Sequence, residues 1–336
     1  MRLATSKHAW MGFRLIPLMS LAIALAAGTP AHANGLVINP TFVSTDLSFG
    51  TSIASDPNAA AIESTINSAI AFYETTFSNS ITVNIEFDEM TTGLGASSTF
   101  FENVSYKDYL AALTANATSA NDAIALSHLG PGPNNPVNSD ATINVKTANL
   151  RAVGISAGVP LDGFIGLNTH LTDVGSSGTT GQYSLFATVE HEINEVLGLG
   201  SALPNPVPNG TIFPEDLFRY DGSGTRSFTD NASALAYFSI DGTTRLKQFD
   251  NQNDGSDFGD WQSNPLPSGA LPAVQDAFGT VGAHATLTSG SPEVTALDVI
   301  GYTATPEPMT LVLSGSGLAA IAAFRRRKTR RSGATS

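Results

Sequence analysis

The chain has 336 residues, a net charge of −13 and no cysteine, so no disulfide supports its fold. Setting aside the two ends leaves seven basic residues against 28 acidic ones between Asn34 and Ala304. Such a surface repels nucleic acid and anionic membranes and suits an exported protein that meets divalent cations.

The first residues carry Arg2, Lys7 and Arg14, an apolar run from Leu15 to Ala27, and the small residues Ala31-His32-Ala33. This is the layout of a secretory signal peptide over 1–33, cleaved before Asn34. A strand is expected at Leu36–Pro40 and a helix from Pro57 to Phe77, whose stripe is Ala61, Ile62, Ile66, Ala69, Ile70, Tyr73 and Phe77. Ile81–Phe87 alternates and predicts a strand with one solvated face. A second helix is expected from Lys107 to about Ala117 and a short one at Asp122–Leu126. Gly130–Asn138 reads as a loop. Ile143–Gly154 is apolar and ambiguous. Gly163–Asn168 predicts a strand, followed by a Gly/Ser/Thr loop over Gly175–Gly181.

Leu185, Phe186, Val189, Ile193, Val196 and Leu197 then recur at helical steps, and Gly198 and Gly200 stop the run. On that helix His191 and Glu195 lie one turn apart, so both can reach one ion. Glu192 sits about 100° around the helix, where a carboxylate can act as a general base. The pattern is H-E-x-x-E, against the H-E-x-x-H of zinc proteases. A carboxylate is an accepted zinc ligand, and it makes the site more anionic. A solvated acidic helix face is the competing reading.

Beyond the helix, Pro204, Pro206, Pro208 and Pro214 interrupt regular structure. Strand-like pieces are expected around Asp216–Asp221, Ser227-Phe228 and Tyr237–Ile240, and a helix begins at Ser291-Pro292-Glu293. Asp250–Trp261 is an acidic loop. Asp250, Asp254, Asp257 and Asp260 surround Gly255 and Gly259 and partly imitate a Ca2+ loop, but Trp261 stands where glutamate belongs. A solvated loop fits better, with Ca2+ as the alternative.

Two resemblances follow from these residues. Pro306-Glu307-Pro308, the apolar stretch Met309–Phe324 and the basic cluster Arg325–Lys328 with Arg330 and Arg331 resemble the PEP-CTERM sorting signal of Gram-negative bacteria over 305–336. That resemblance implies export, transient anchoring in the inner membrane and cleavage by an exosortase. The stretches GFIGLNTH, VEHEINEVLGLGS, EDLFRYDGSGTRSF, AYFSIDGTTRLKQFD, DFGDW and LDVIGY, in this order, resemble a family of secreted bacterial metalloproteases with an HEIxEVxG helix, related in layout to metzincins. It implies an α+β, zincin-like fold over 34–304, with a twisted sheet and active-site helix in 34–200 and a loop-rich lower part in 201–304. It also implies Zn2+-dependent hydrolysis of a protein or peptide substrate, with Glu192 as base.

The chain departs from the metzincin pattern at two ligands. Glu195 replaces the second histidine, and Ser201 stands at the third. Asp216, Asp221, Asp298 and His284 are candidates for a third ligand, Asp216 being favoured because the chain can double back after the prolines. A turn cap or an ion pair with Arg219 competes with that role. Tyr220 could stabilise an oxyanion or simply pack in the core. His170 has no spacing argument. A non-catalytic surface protein on a protease-like scaffold is the alternative to an enzyme.

Overall fold

The computed structural model describes residues 35–43, 49–174, 181–204, 211–252 and 254–305. The expected signal peptide, the Pro306-Glu307-Pro308 tail and most of the Gly175–Gly181 loop lie outside them.

Strand β1 (Val37–Thr41) and the two-residue β2 (Thr51–Ser52) lead into helix α1 (Ala59–Thr76). Ile62, Ile66, Ala69, Ile70 and Tyr73 form the buried stripe of α1, as their spacing requires. Strand β3 (Thr82–Glu89) follows, then β4 (Gly95–Thr99) and β5 (Phe101–Ser105). Helix α2 (Tyr106–Asn116) starts where the Ser105 hydroxyl accepts from Asp108 N, and α3 (Ala120–Leu129) starts on a Ser119–Asp122 capping box. The ambiguous segment after Ile143 divides into strand β6 (Thr142–Lys146) and the short helix α4 (Thr147–Ala152). Then come β7 (Gly163–Leu167), β8 (Thr172–Asp173), β9 (Tyr183–Ser184) and helix α5 (Leu185–Leu197). Past α5 the elements are short: a 3-10 turn (Pro214–Phe218), β10 (Arg219–Tyr220), β11 (Tyr237–Phe238), β12 (Lys247–Gln248) and helix α6 (Pro292–Val299).

The main sheet runs β1-β3-β7-β4, with β2 also on β3. Its pairs β1–β3 and β3–β7 are parallel, and β4 closes one edge antiparallel to β7. With six α-helices among the described residues, the fold is α+β with a mixed sheet. Strand β3 has no solvated face over its second half. Glu86 and Asp88 are buried, because β3 is flanked by neighbours on both edges and the chain around Thr51–Ser55 packs back on it. The expected strand at Ser227-Phe228 is also absent. Only a single bridge, Tyr220 to Arg226, forms there, and the neighbouring β10 already has β11 as its ladder partner.

Helix α5 is packed on both sides. Val196 meets the backbone of β7 at Gly163, and β4 crosses above Glu192 and Thr188. From α1, the Tyr73 hydroxyl donates to Glu190 O at 2.6 Å and to Asn194 Oδ1 at 2.8 Å. After α6, Tyr302 donates to Leu197 O at 2.7 Å. The helix is thus fixed against the sheet by its apolar face and against two other segments by hydrogen bonds from buried tyrosines. The lower part has its own aromatic core of Phe218, Phe238, Phe249 and Trp261. No helix among the described residues is long and apolar enough to cross a membrane.

Candidate metal centre

Helix α5 begins where Ser184 Oγ accepts from Ala187 N and ends at Gly198, whose φ of 151° disfavours a side chain. Leu185, Val189, Ile193, Val196 and Leu197 face the core. That face directs Thr188, His191, Glu192 and Glu195 into a cleft of about 640 Å³. Residues Gly95–Ser97 of β4 form one wall, and the chain around Val274 forms another. Gly95 is needed at the crossing: a Cβ there would overlap the Glu192 carboxylate.

The third side of the cleft comes from the acidic loop. Gly259 is pressed onto Gly200, with no room for a Cβ between the two backbones. This contact carries Asp260 to the helix. The next residue, Trp261, is anchored by its Nε1 on Glu293 Oε1 at 2.9 Å and by its N–H on Gln275 O at 2.8 Å. Asp260 Oδ1 lies 3.5 Å from His191 Nε2, and Glu195 Oε1 lies 3.7 Å from the same nitrogen. The three donors lie within 4.8 Å of one another.

These residues fit a metal ion. Three donors about 2 Å from one ion in tetrahedral array lie roughly 3.3 Å apart, a few tenths of an ångström from the two observed contacts. The outer partners are also in place. His191 Nδ1 donates to Val274 O at 3.0 Å, which turns Nε2 toward the carboxylates. Ser97 donates to Glu195 Oε2 at 2.5 Å, leaving Oε1 for the centre. Lys146 Nζ holds the end of α5 through Glu195 O and Leu199 O. The group could hold a metal ion by charge as well as by shape.

Electrostatics explain why a cation suits this position. Burial works to lower the His191 pKa, but Asp260, Glu195 and Glu192 outweigh it and hold the ring well above its ordinary value. Burial likewise works upward on Glu195. The hydrogen bond and charge of His191, with Lys146 and Ser97, overcome it and bring Glu195 down to about 2. Glu192 is pushed well up, first by burial and then by the charge of Glu195. Asp260 is raised by burial against the pull of His191. Two demands therefore meet at His191 Nε2. The carboxylates favour a positive charge there, while the nearby Gln275 amide nitrogen, 3.2 Å away, offers only N–H and needs a lone pair. A divalent ion satisfies the carboxylates without a proton on Nε2. It would also offset the repulsion that raises Glu192, whose Oε2 is buried without a hydrogen-bond partner among the described residues.

The structure brings His191, Glu192 and Glu195 together and does not bring Asp216 to them. Asp216 accepts from Ser201 Oγ, Ala202 N and Phe213 N, so it caps the turn after α5, and its place at the centre is taken by Asp260. Asp221 is in a surface turn, accepting from Ser223 and Thr225. Asp298 accepts from Ser119 Oγ at 2.7 Å. His284, His170 and Tyr220 do not line the cleft, and Tyr220 is buried beneath the Arg226 guanidinium. In the acidic loop, Asp250, Asp254 and Asp257 each accept from backbone N–H groups two residues on. No second group of metal-donor side chains occurs among the described residues, so a Ca2+ site in that loop gains no support.

Sequence reasoning noticed Asp260 only as a member of the acidic loop. Ser97, Lys146 and Gln275 belong to no motif that marks them in the sequence. No protein-family profile, curated protein or solved structure matches the chain.

Proposed function

We propose that the chain is an exported, zinc-dependent endopeptidase with a zincin-like arrangement of sheet and helix. The observation that carries this reading is the convergence of His191, Glu195 and Asp260 beside the unpartnered carboxylate oxygen of Glu192 on the floor of a cleft. His191 Nε2, Glu195 and Asp260 would hold the ion. Zinc bound there would supply Lewis acidity, polarising a substrate carbonyl and lowering the pKa of water.

The remaining work falls to the chain itself. Strand β4 is the last strand of its sheet, and its residues Gly95–Ser97 line the cleft. Its outer edge offers backbone groups with which an extended peptide can pair, placing a scissile bond above α5. Glu192 Oε2 takes a proton of the attacking water and returns it to the leaving amine, which gains the water's second proton as the new acid ionises, so one peptide bond and one water give a carboxylate and an ammonium group. Ser97 fixes Glu195 from that same strand, which links substrate docking to the geometry of the donors.

The test is metal analysis and casein hydrolysis on mature protein purified without chelator. About one zinc per chain and hydrolysis that a chelator abolishes are expected. Zinc bound without hydrolysis would instead make this a non-catalytic scaffold. Export and removal of the tail rest on the sequence of the two ends. Intact mass of the secreted protein should show an end near Thr305–Pro308, and a mass retaining Arg325–Arg331 would make the tail a permanent anchor.

A further inference from the structure

Two of the three donors stand on α5, but Asp260 is carried by a loop, and something must hold its carboxylate in register with the helix. We propose that Gln275 is that positioning residue and that it sets how tightly the centre holds its ion. This assignment rests on the metal reading above.

Gln275 is buried, and every polar atom of its side chain is engaged. Its Nε2 donates to Asp260 Oδ1 at 2.9 Å and lies 3.2 Å from His191 Nε2. Its Oε1 accepts from Asn194 Nδ2 at 3.0 Å. Asn194 Oδ1 in turn accepts from the Tyr73 hydroxyl. The Gln275 backbone is pinned as well: its N–H donates to Glu293 Oε1 at 3.1 Å, and its carbonyl accepts from Trp261 N. A continuous line of hydrogen bonds therefore runs from α1, through α5, to the loop-borne donor.

The amide can serve this role because it has two N–H groups. One is directed at Asp260, and the other reaches the lone pair of His191 that an ion would claim. An ion arriving at the centre displaces only the contact with His191. The bond to Asp260 stays, and it orients that carboxylate as an outer partner does. The amide nitrogen touches both His191 Nε2 and Asp260 Oδ1, which stand 3.5 Å apart, so it holds the two donors near the spacing an ion needs before one arrives. A side chain of the same length without the amide would leave Asp260 free to turn toward the solvent of the cleft.

Cobalt is the probe, because its absorption spectrum reports the geometry of its ligands. Metal-free wild type, Gln275→Met and Asn194→Ala would be compared for Co2+ affinity by chelator competition, for the visible spectrum of the bound ion, and for thermal midpoint without metal. Gln275→Met should bind Co2+ about ten- to a hundredfold more weakly and show an altered spectrum. Asn194→Ala keeps Gln275 but removes its support, and should show a smaller loss with a spectral change in the same direction. It also serves should Gln275→Met fail to fold. A purely structural role for Gln275 would lower the midpoint and leave the cobalt spectrum untouched, and that result overturns the assignment. So does an affinity within twofold of wild type in a folded variant. If wild type itself takes up no cobalt, the metal centre falls and this assignment with it.

Discussion

Asp216 and Asp260 are both buried aspartates on loops beyond α5, at 1% and 5% exposure, yet their surroundings differ in kind. Asp216 accepts three hydrogen bonds, one from Phe213 N at the start of its own turn and two from Ser201 Oγ and Ala202 N just after α5. Asp260 accepts from Gln275 and faces a histidine and a glutamate across a few ångströms. The first carboxylate is consumed by the fold, tying the end of α5 to the turn that follows it. The second stands where like charges have been gathered, an arrangement that costs stability unless a cation joins it. Burial and acidity alone do not separate a ligand from a cap. What separates them is whether donors of the fold saturate the oxygens.

The comparison can be tested by removing each acid in turn. The largest effect should come from the carboxylate with an unspent oxygen. Glu192→Gln should lower casein hydrolysis about a hundredfold or more while metal content and thermal midpoint hold. A variant as active as wild type would remove Glu192 as the base. Next, Asp260→Asn should lower metal affinity at least as much as losing an outer partner does, roughly ten- to a hundredfold. Equilibrium dialysis against zinc measures it. Asp216→Ala should do the reverse, binding metal like wild type but losing about 2 kcal/mol in urea denaturation, because three donors lose their acceptor. Metal lost from a folded Asp216→Ala protein would exchange the roles of the two aspartates.

The smallest effect concerns a buried acid outside the centre. Burial pushes Asp298 up to about 6 against the hydrogen bond from Ser119, with Asp122 adding to the rise. Its folded pKa lies above the ordinary value of 3.8, so the folded state binds the proton more tightly. This contribution is fully present below about pH 3.8 and is lost as pH rises through about 6. Asp298→Asn should therefore gain about 1 kcal/mol over wild type at pH 7.5, the carboxamide still accepting from Ser119, and the gain should vanish near pH 4. Urea titrations of both proteins at the two pH values measure it. A gain equal at both would place the effect elsewhere than in ionisation.

How much of this was legible depends on distance along the chain. His191, Glu192 and Glu195 could be read because one helical turn fixes their relation, and the apolar spacing gave α5 its limits at Leu185 and Leu197. Helix α1 and strands β1 and β7 were visible for the same reason. Strand β4 was not, because Gly95-Ala96-Ser97-Ser98-Thr99 lacks the apolar alternation that marks a strand. Small residues serve there because α5 passes so closely that Gly95 touches Glu192. Asp260 was hidden more deeply. Its arrival depends on two glycines, Gly200 and Gly259, meeting backbone to backbone. Nothing within either local stretch announces that meeting. Asp216 misled because a sequence shows an acid after a turn but not the three groups that bind it.

The contact between Gly200 and Gly259 also bears on how the two ends of a long stretch of chain are held together. Glu195 and Asp260 are 65 residues apart along the chain, and the protein has no cysteine with which to tie them. An ion shared by the two would act as a removable cross-link, closing the chain between the helix and the lower core. A covalent bridge across a loop of that length is worth roughly 4 kcal/mol in the chain-entropy description. The metal would then serve as the staple that a disulfide provides elsewhere. A chelator would then loosen the acidic loop and the lower core from the helix.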